Sequence, residues 1–218
     1  MKKKSVLLIG LGKFGTQIAE ELYKLGHNIM IVDRDEERVN NAMKYASNGQ
    51  IGNSTNVDFL KTLGINDYDF CIVSIGGDFQ SSLETTCSLK ELGAKLVISR
   101  AESDGQAKFL LRNGADEIIY PEKQLASWMA IKYSSESIID YIEVDENCSI
   151  LEVTIPKDWL GKTIRQVDIR NKYGINIVAL KQNGKASANF SPDVILTDEY
   201  TMLVIGSYKS IVKALSIK

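Results

Sequence analysis

Along its first half the chain alternates short, β-branched apolar runs with segments whose apolar residues recur every three or four positions. The first run, Ser5 to Gly10, reads as a fully buried parallel strand ending in glycine. Phe14, Ile18, Leu22 and Leu25 then follow helical spacing, and Gly26 closes the segment as a C-cap would. Asn28 to Asp33 is a second buried strand, completing one βαβ unit. The same rhythm predicts helices over Asp35 to Lys44, Val57 to Leu63, Phe79 to Leu92 and Asp104 to Asn113. The remaining strands fall near Gln50–Ile51 and over Asp69–Ser74, Lys95–Ser99 and Glu117–Tyr120. Six strands alternating with helices need crossover connections, hence a Rossmann-like, doubly wound parallel sheet covered on both faces.

At Pro121 the rhythm changes. Residues 122–142 read as one long helix that opens on Glu122 and carries Leu125, Trp128, Met129, Ile131, Ile138, Ile139 and Ile142. That is more apolar surface than one small module needs, so part of it is expected to pack on another subunit. Beyond it, strands are expected over Ile150–Ile155, Ile175–Leu180 and Met202–Ile205, with a turn at Asn183-Gly184, an amphipathic piece over Thr163–Tyr173 and a last helix over Ser210–Leu215. The expected organisation is a nucleotide-binding module over 1–121, a connecting helix over 122–143 and a small α/β module over 144–218.

Composition narrows the function. The 218 residues carry 26 Lys+Arg against 28 Asp+Glu, a net charge of −2, with 44% apolar and 25% charged residues, as expected of a folded globular chain. Without a dense basic cluster there is no electrostatic footprint for nucleic acid. Cys71, Cys87 and Cys148 form no C-x-x-C pair, and with His27 as the one histidine a Cys/His zinc site is hard to assemble. The three read as reduced core residues of a cytosolic protein. Lys2 to Lys4 before an apolar run imitates a secretory signal, but the run stops at Lys13 with no cleavage site after it. No segment approaches the ~18 apolar residues that span a bilayer, so a membrane role has to be by docking.

The chemistry concentrates between the first strand and first helix, at Gly10-Leu-Gly12-Lys-Phe-Gly15. In a G-x-G-x-x-G at this place Gly10 permits the tight turn, Gly12 lets backbone N–H groups approach phosphate, and Gly15 lets helix pack on strand. Asp33 ends the second strand 18 residues after Gly15, where a carboxylate accepts from an adenosine ribose and disfavours a 2′-phosphate. That points to NAD, ATP or ADP, with the following Arg34 softening the exclusion of NADP. Lys13 and Phe14 stand inside the loop, and a cation there can meet a terminal phosphate. His27 sits in a turn at the far end of the second strand, so the crevice has no evident acid or base for hydride transfer. Binding without turnover is the expectation.

The run Val6 to Gly15, with Val32-Asp33, Gly52-Asn-Ser-Thr55, Val73-Ser-Ile-Gly76, Leu89-Lys-Glu-Leu92, Asn113-Gly-Ala-Asp116 and Tyr120-Pro-Glu-Lys123, resembles the RCK (regulator of potassium conductance) family. The second module, with Ile169 to Ala179 and Leu203-Val-Ile-Gly206, is similar to the family's C-terminal subdomain. Length and plan match the gating subunits of Ktr/Trk-type potassium uptake systems best. The resemblance implies a cytoplasmic homo-oligomer, dimers assembling into an octameric ring, docked peripherally on a membrane potassium-translocating subunit. It implies that Gly10, Gly12 and Gly15 hold phosphates, Asp33 the ribose, and Asn53, Ser54, Thr55, Ser74 and Ile75 the adenosine. Lys13 stands where many relatives carry an arginine that meets the terminal phosphate of ATP, and lysine lacks the bidentate fork. Arg100 matches a basic pocket position, and Glu122 a carboxylate near a divalent cation (Mg or Ca) between subunits. Ile164, Arg170, Asn176 and Ile177 match positions where some relatives bind cyclic di-AMP at a dimer seam. The leading expectation is a gate driven by ATP/ADP, or alternatively NAD/NADH. The competing reading is a small NAD-dependent oxidoreductase or epimerase; an NAD(H)-sensing repressor would need a basic DNA-reading helix that the sequence lacks.

Overall fold

The structure, a computed structural model, describes residues 2–145 and 147–215; Met1, Glu146 and residues 216–218, which fall within the expected modules, lie outside the described residues. Two compact units divide the chain at Glu122 and Lys123. The first contains β1 (Ser5–Ile9), α1 (Lys13–Lys24), β2 (Asn28–Asp33), α2 (Glu36–Ala42), β3 (Asn48–Ile51), α3 (Val57–Thr62), β4 (Phe70–Val73), α4 (Phe79–Glu91), β5 (Val97–Arg100), α5 (Asp104–Arg112) and β6 (Glu117–Ile119). Each strand expected from the pattern is present, and short 3-10 turns follow α2 and α3.

All five strand pairings are parallel, in the order β3-β2-β1-β4-β5-β6. Side chains alternate across β1: Val6 and Leu8 enter one core with Ala19, Ile31 and Val39, while Leu7 and Ile9 enter the other with Leu60, Val73 and Leu89. This is why the run reads as uninterrupted apolar sequence. The order reverses between β1 and β4, so their carboxyl ends splay apart and leave a crevice. One helix breaks the apolar rule. On α4 the buried residues are Ser82, Thr85, Thr86 and Ser88, with Leu89 the lone aliphatic.

The chain continues through α6 (Pro121–Lys132), β7 (Ile138–Asp145), β8 (Cys148–Thr154), α7 (Ile164–Val167), α8 (Ile169–Tyr173), β9 (Asn176–Gln182), β10 (Lys185–Ser187), β11 (Tyr200–Gly206) and α9 (Tyr208–Ala214). Its sheet is antiparallel throughout, in the order β10-β9-β11-β8-β7. Leu151, Val153, Met202, Val204 and Ile211 fill its core, and Trp128 and Ile131 of α6 pack against them.

The helix expected over 122–143 is the main correction. It ends at Lys132, and Ile138, Ile139 and Ile142 belong to β7. Ser134 Oγ donates to the Ile131 carbonyl at 2.7 Å, and Ser135 Oγ accepts from the Ser137 N–H at 3.2 Å. These hydroxyls take over backbone partners and turn the chain, after which the β-branched residues suit a strand. Trp128 is half-buried within its own unit, and its indole N–H donates to Asp140 at 3.1 Å. Leu125, Met129 and Tyr133 remain exposed. The amphipathic piece over 163–173 is two short helices, because Asp168 between them takes a left-handed conformation with φ +54°.

Truncating the fully buried Leu151 to alanine is expected to destabilise this unit by about 2–5 kcal/mol, the range for a core leucine that leaves a cavity. Urea unfolding of Leu151→Ala checks it through a lower midpoint at unchanged slope.

Candidate functional site

The glycine loop occupies the crevice between β1 and β4. Gly10 has φ +93°, and a Cβ there would stand 2.9 Å from the Ser74 carbonyl carbon, so both backbone conformation and close approach require glycine. At Gly15 a Cβ would overlap the Gly10 carbonyl oxygen, because the helix rests on the loop. Gly12 differs from both. Its φ is −65°, and nothing lies within 4 Å of where a Cβ would be. It caps α1 without any side-chain hydrogen bond to the first turn, leaving a 12-residue helix with its N-terminal N–H groups open to an anion.

Asp33 fixes the loop. Its Oδ2 accepts from the Leu11 N–H at 2.7 Å and its Oδ1 from the Asp35 N–H at 3.0 Å, while the side chain is only 7% exposed. Arg38 approaches it at 3.9 Å. A carboxylate offers about four lone-pair sites, so two remain for a ligand hydroxyl. Arg34 is mostly exposed and reaches to 4.0 Å from Asp78. Asp78 caps α4, accepting from the Ser81 N–H at 3.1 Å and the Ser81 hydroxyl at 2.7 Å. Those bonds, with Arg34 behind them, hold its carboxyl below the usual range.

A second charged group lies at the end of β5. Arg100 Nη2 donates to Glu122 Oε1 at 2.5 Å and stands 3.5 Å from Glu102, with its guanidinium 5.7 Å from the centre of the Phe14 ring. Its Nε is buried without a partner among the described residues. Ser74 Oγ, on a residue only 2% exposed, is likewise without one.

These residues enclose one cavity of ≈ 460 Å³, within the size range of small-molecule sites. Of the residues expected at a nucleotide site, Gly10, Gly12, Lys13, Phe14, Asp33 and Arg34 line it on the loop side. Asn53 and Ser54, after β3, line it on one side, and Ser74, Ile75, Arg100 and Glu122, from β4 onward, on the other. Gly15 stands beneath the loop, and Thr55 is not on the wall: its N–H and hydroxyl both donate to Asn53 Oδ1, at 3.1 and 3.0 Å. Ser54 turns its hydroxyl to Thr85, 2.8 Å away. Arg38, Gly76, Asp78 and Glu102 line the cavity as well. Sequence reasoning missed them; Asp78 alone had a local signal, an acidic residue just before a helical run.

Glu122 carries its charge to Arg100, and among the described residues no three His, Cys, Asp or Glu side chains converge to hold a metal ion. In the second unit Arg170 and Asn176 are exposed, Ile164 and Ile177 pack against the core, and none of the four lines a described cavity. His27 accepts from the Lys4 N–H at 3.3 Å, at the end of β2 remote from the crevice. Cys71 is buried, and desolvation pushes its thiol up to about 12, which removes the thiolate at neutral pH.

The described TrkA-N domain matches residues 6–121, and the TrkA-C domain residues 150–217. Ktr system potassium uptake protein C of Bacillus subtilis (strain 168) is 39% identical over 209 residues, covering 96% of this chain and 95% of its own length. Ktr system potassium uptake protein A of the same organism is 35% identical over 211 residues, covering 97% and 95%. In fold the chain is similar to a GsuK channel bound to NAD, with a TM-score of 0.68 at 15% identity. It covers 99% of this chain, which in turn spans 39% of the GsuK chain.

Gly15 and Gly12 are expected to separate on substitution. Gly15→Ala is expected to lower stability by about 1–3 kcal/mol, since backbone has to move. Gly12→Ser keeps an allowed φ, meets open space and supplies a favoured N-cap, so its melting temperature is expected to stay at or above wild type. Parallel thermal melts check both.

Proposed function

The chain belongs to the TrkA-N/TrkA-C (RCK) family, and on that premise we propose that it is the nucleotide-binding regulatory subunit of a potassium uptake system, docking on a membrane potassium-translocating partner. The observation that carries this reading is the single cavity that joins an uncapped helix N-terminus, a buried carboxylate and a cationic end. Two buried polar groups there, Ser74 Oγ and Arg100 Nε, have no protein partner among the described residues, as expected where a ligand completes the hydrogen bonding.

An adenine nucleotide suits each part. The N–H groups of the first turn of α1 take phosphate, Asp33 keeps acceptor capacity for ribose hydroxyls, and Asn53 and Ile75 offer a mixed polar and apolar wall for the base. Around the cavity Arg34, Arg38 and Arg100 each approach a carboxylate, whereas no ion pair to Lys13 is found among the described residues. Lys13 is therefore the cation with most to gain from a terminal phosphate. The carboxylates Asp33, Asp78, Glu102 and Glu122 are all engaged by donors, which favours ligand sensing over acid–base turnover. Among the described residues no helix is long and apolar enough to cross a membrane; it is the likeness to the Ktr uptake proteins that supports action on the cytoplasmic side through a membrane partner.

Regulation by binding has an energetic requirement. Moving a two-state equilibrium from 1:99 to 99:1 takes about 5.5 kcal/mol of differential affinity. In an octameric ring that is about 0.7 kcal/mol per site, within reach of one exposed cation meeting or missing a phosphate. The exposed Leu125 and Met129 on α6, with Tyr133 just beyond it, suit such subunit packing.

The test is a thermal-shift panel on the purified protein with ATP, ADP, NADH and NADPH. A ligand present at a hundredfold excess over its Kd is expected to stabilise the fold by about 2.7 kcal/mol, and Gly12→Ser to abolish the shift while remaining folded. Lys13→Gln is expected to weaken ATP more than ADP, by up to about tenfold. A silent panel would overturn the nucleotide reading.

A further inference from the structure

Helix α4 meets the sheet through hydroxyls where the other helices use aliphatic side chains. Thr85 and Thr86 are both fully buried, and each reaches a different wall of the cavity. Thr85 Oγ1 lies 2.8 Å from Ser54 Oγ, in the loop after β3 whose Asn53 and Ser54 form one wall. Thr86 Oγ1 lies 2.8 Å from Ser99 Oγ, and Ser99 immediately precedes Arg100 on the opposite wall. The second pair has a fixed direction. The single hydroxyl hydrogen of Thr86 goes to the Ser82 carbonyl at 2.7 Å, so Ser99 has to donate to Thr86. The N-terminal end of the same helix also belongs to the cavity, through Asp78 and Ser81.

Stability alone does not account for this arrangement. A buried hydroxyl is costly unless partnered, and Ser82 Oγ, on the same face, has no partner among the described residues. Valine or alanine at these positions would cover the sheet as well. What aliphatic packing lacks is direction: a hydrogen bond between two buried hydroxyls holds its partners at one separation, whereas apolar contacts let a helix slide.

We propose that Thr85 and Thr86 are positioning residues, making α4 a strut that sets the distance between the Asn53–Ser54 wall and the Arg100 wall, and thereby the grip on the two ends of one nucleotide. This rests on the nucleotide reading of the cavity. With the strut in place, a ligand that shifts either wall moves α4, and with it the other wall. Removing a pair of hydroxyls leaves both walls covered but frees their spacing.

Paired variants of the full-length protein test this. Ser54→Ala with Thr85→Val, and Thr86→Val with Ser99→Ala, each remove both hydroxyls of one pair and leave no new unpaired hydroxyl, a change that is close to neutral for stability; the second pair also removes the Thr86 bond to the Ser82 carbonyl. The Kd for ATP and ADP is read by calorimetry well below the melting temperature, where every molecule is folded. Each pair is expected to weaken nucleotide about three- to tenfold, a range typical of couplings within one network. Thr86→Ser, which keeps the hydroxyl, is expected to retain wild-type affinity. Wild-type Kd values in both paired variants, or a Thr86→Ser affinity as weak as that of the Thr86→Val pair, overturn the strut. If the wild-type protein binds neither nucleotide while remaining folded, the reading of the cavity falls and the strut with it.

Discussion

Two hydrogen bonds to one carboxylate hold the site together. Asp33 receives the N–H of Leu11, the residue between the first two loop glycines, and the N–H of Asp35 at the start of α2. The loop is thereby tied to the end of the neighbouring strand, and the Gly10 N–H donates to the Val32 carbonyl at 2.8 Å beside it. A loop with positive φ at its first glycine has many alternatives in an unfolded chain; the buried carboxylate selects the one that presents the α1 N-terminus to the crevice. Asp33 therefore has two tasks. It builds the loop with two acceptor sites, and under the proposed function the rest of its capacity serves a ligand, so a substitution there disturbs the loop as well as any such contact.

The charges around the cavity extend the same economy. Asp78, Glu102 and Glu122 each restrain a cation or a turn, so the polar wall is ordered by its own contacts. Such a wall gives a ligand fixed partners and little reorganisation to perform. The exposed Lys13 is the exception, a lining charge with no ion pair among the described residues.

What could be read from the sequence follows from how local each constraint is. The parallel sheet was legible because β1, β2 and β4 are buried on both faces and their apolar runs have no other stable use. The glycines were legible because positive φ and close backbone approach are demands that few residues meet. Residues 138–142 fit a helical face as well as a strand through Ile138, Ile139 and Ile142; the decisive signal is polar, the serines at 134 and 135 whose hydroxyls divert the backbone. Arg38 and Glu102 were invisible for another reason. Their partners, Asp33 and Arg100, are only five and two residues away, but the pattern does not say which of several neighbouring charges turns toward the crevice.

The strand order also governs how the chain reaches this state. β1 pairs with β4, placing Val6 beside Phe70, and Arg100 arrives one strand later still. Parallel neighbours need a crossover, so the loop-closure entropy falls due before any contact across the crevice repays it. In the second unit β7 and β8 are sequential and pair antiparallel, Asp145 opposite Cys148, and can form early from local contacts. The glycine loop is made before its far wall, since Arg100 follows Gly10 by 90 residues. A nascent chain thus carries half a crevice, and the two-walled pocket becomes available only once the parallel sheet has closed across its centre.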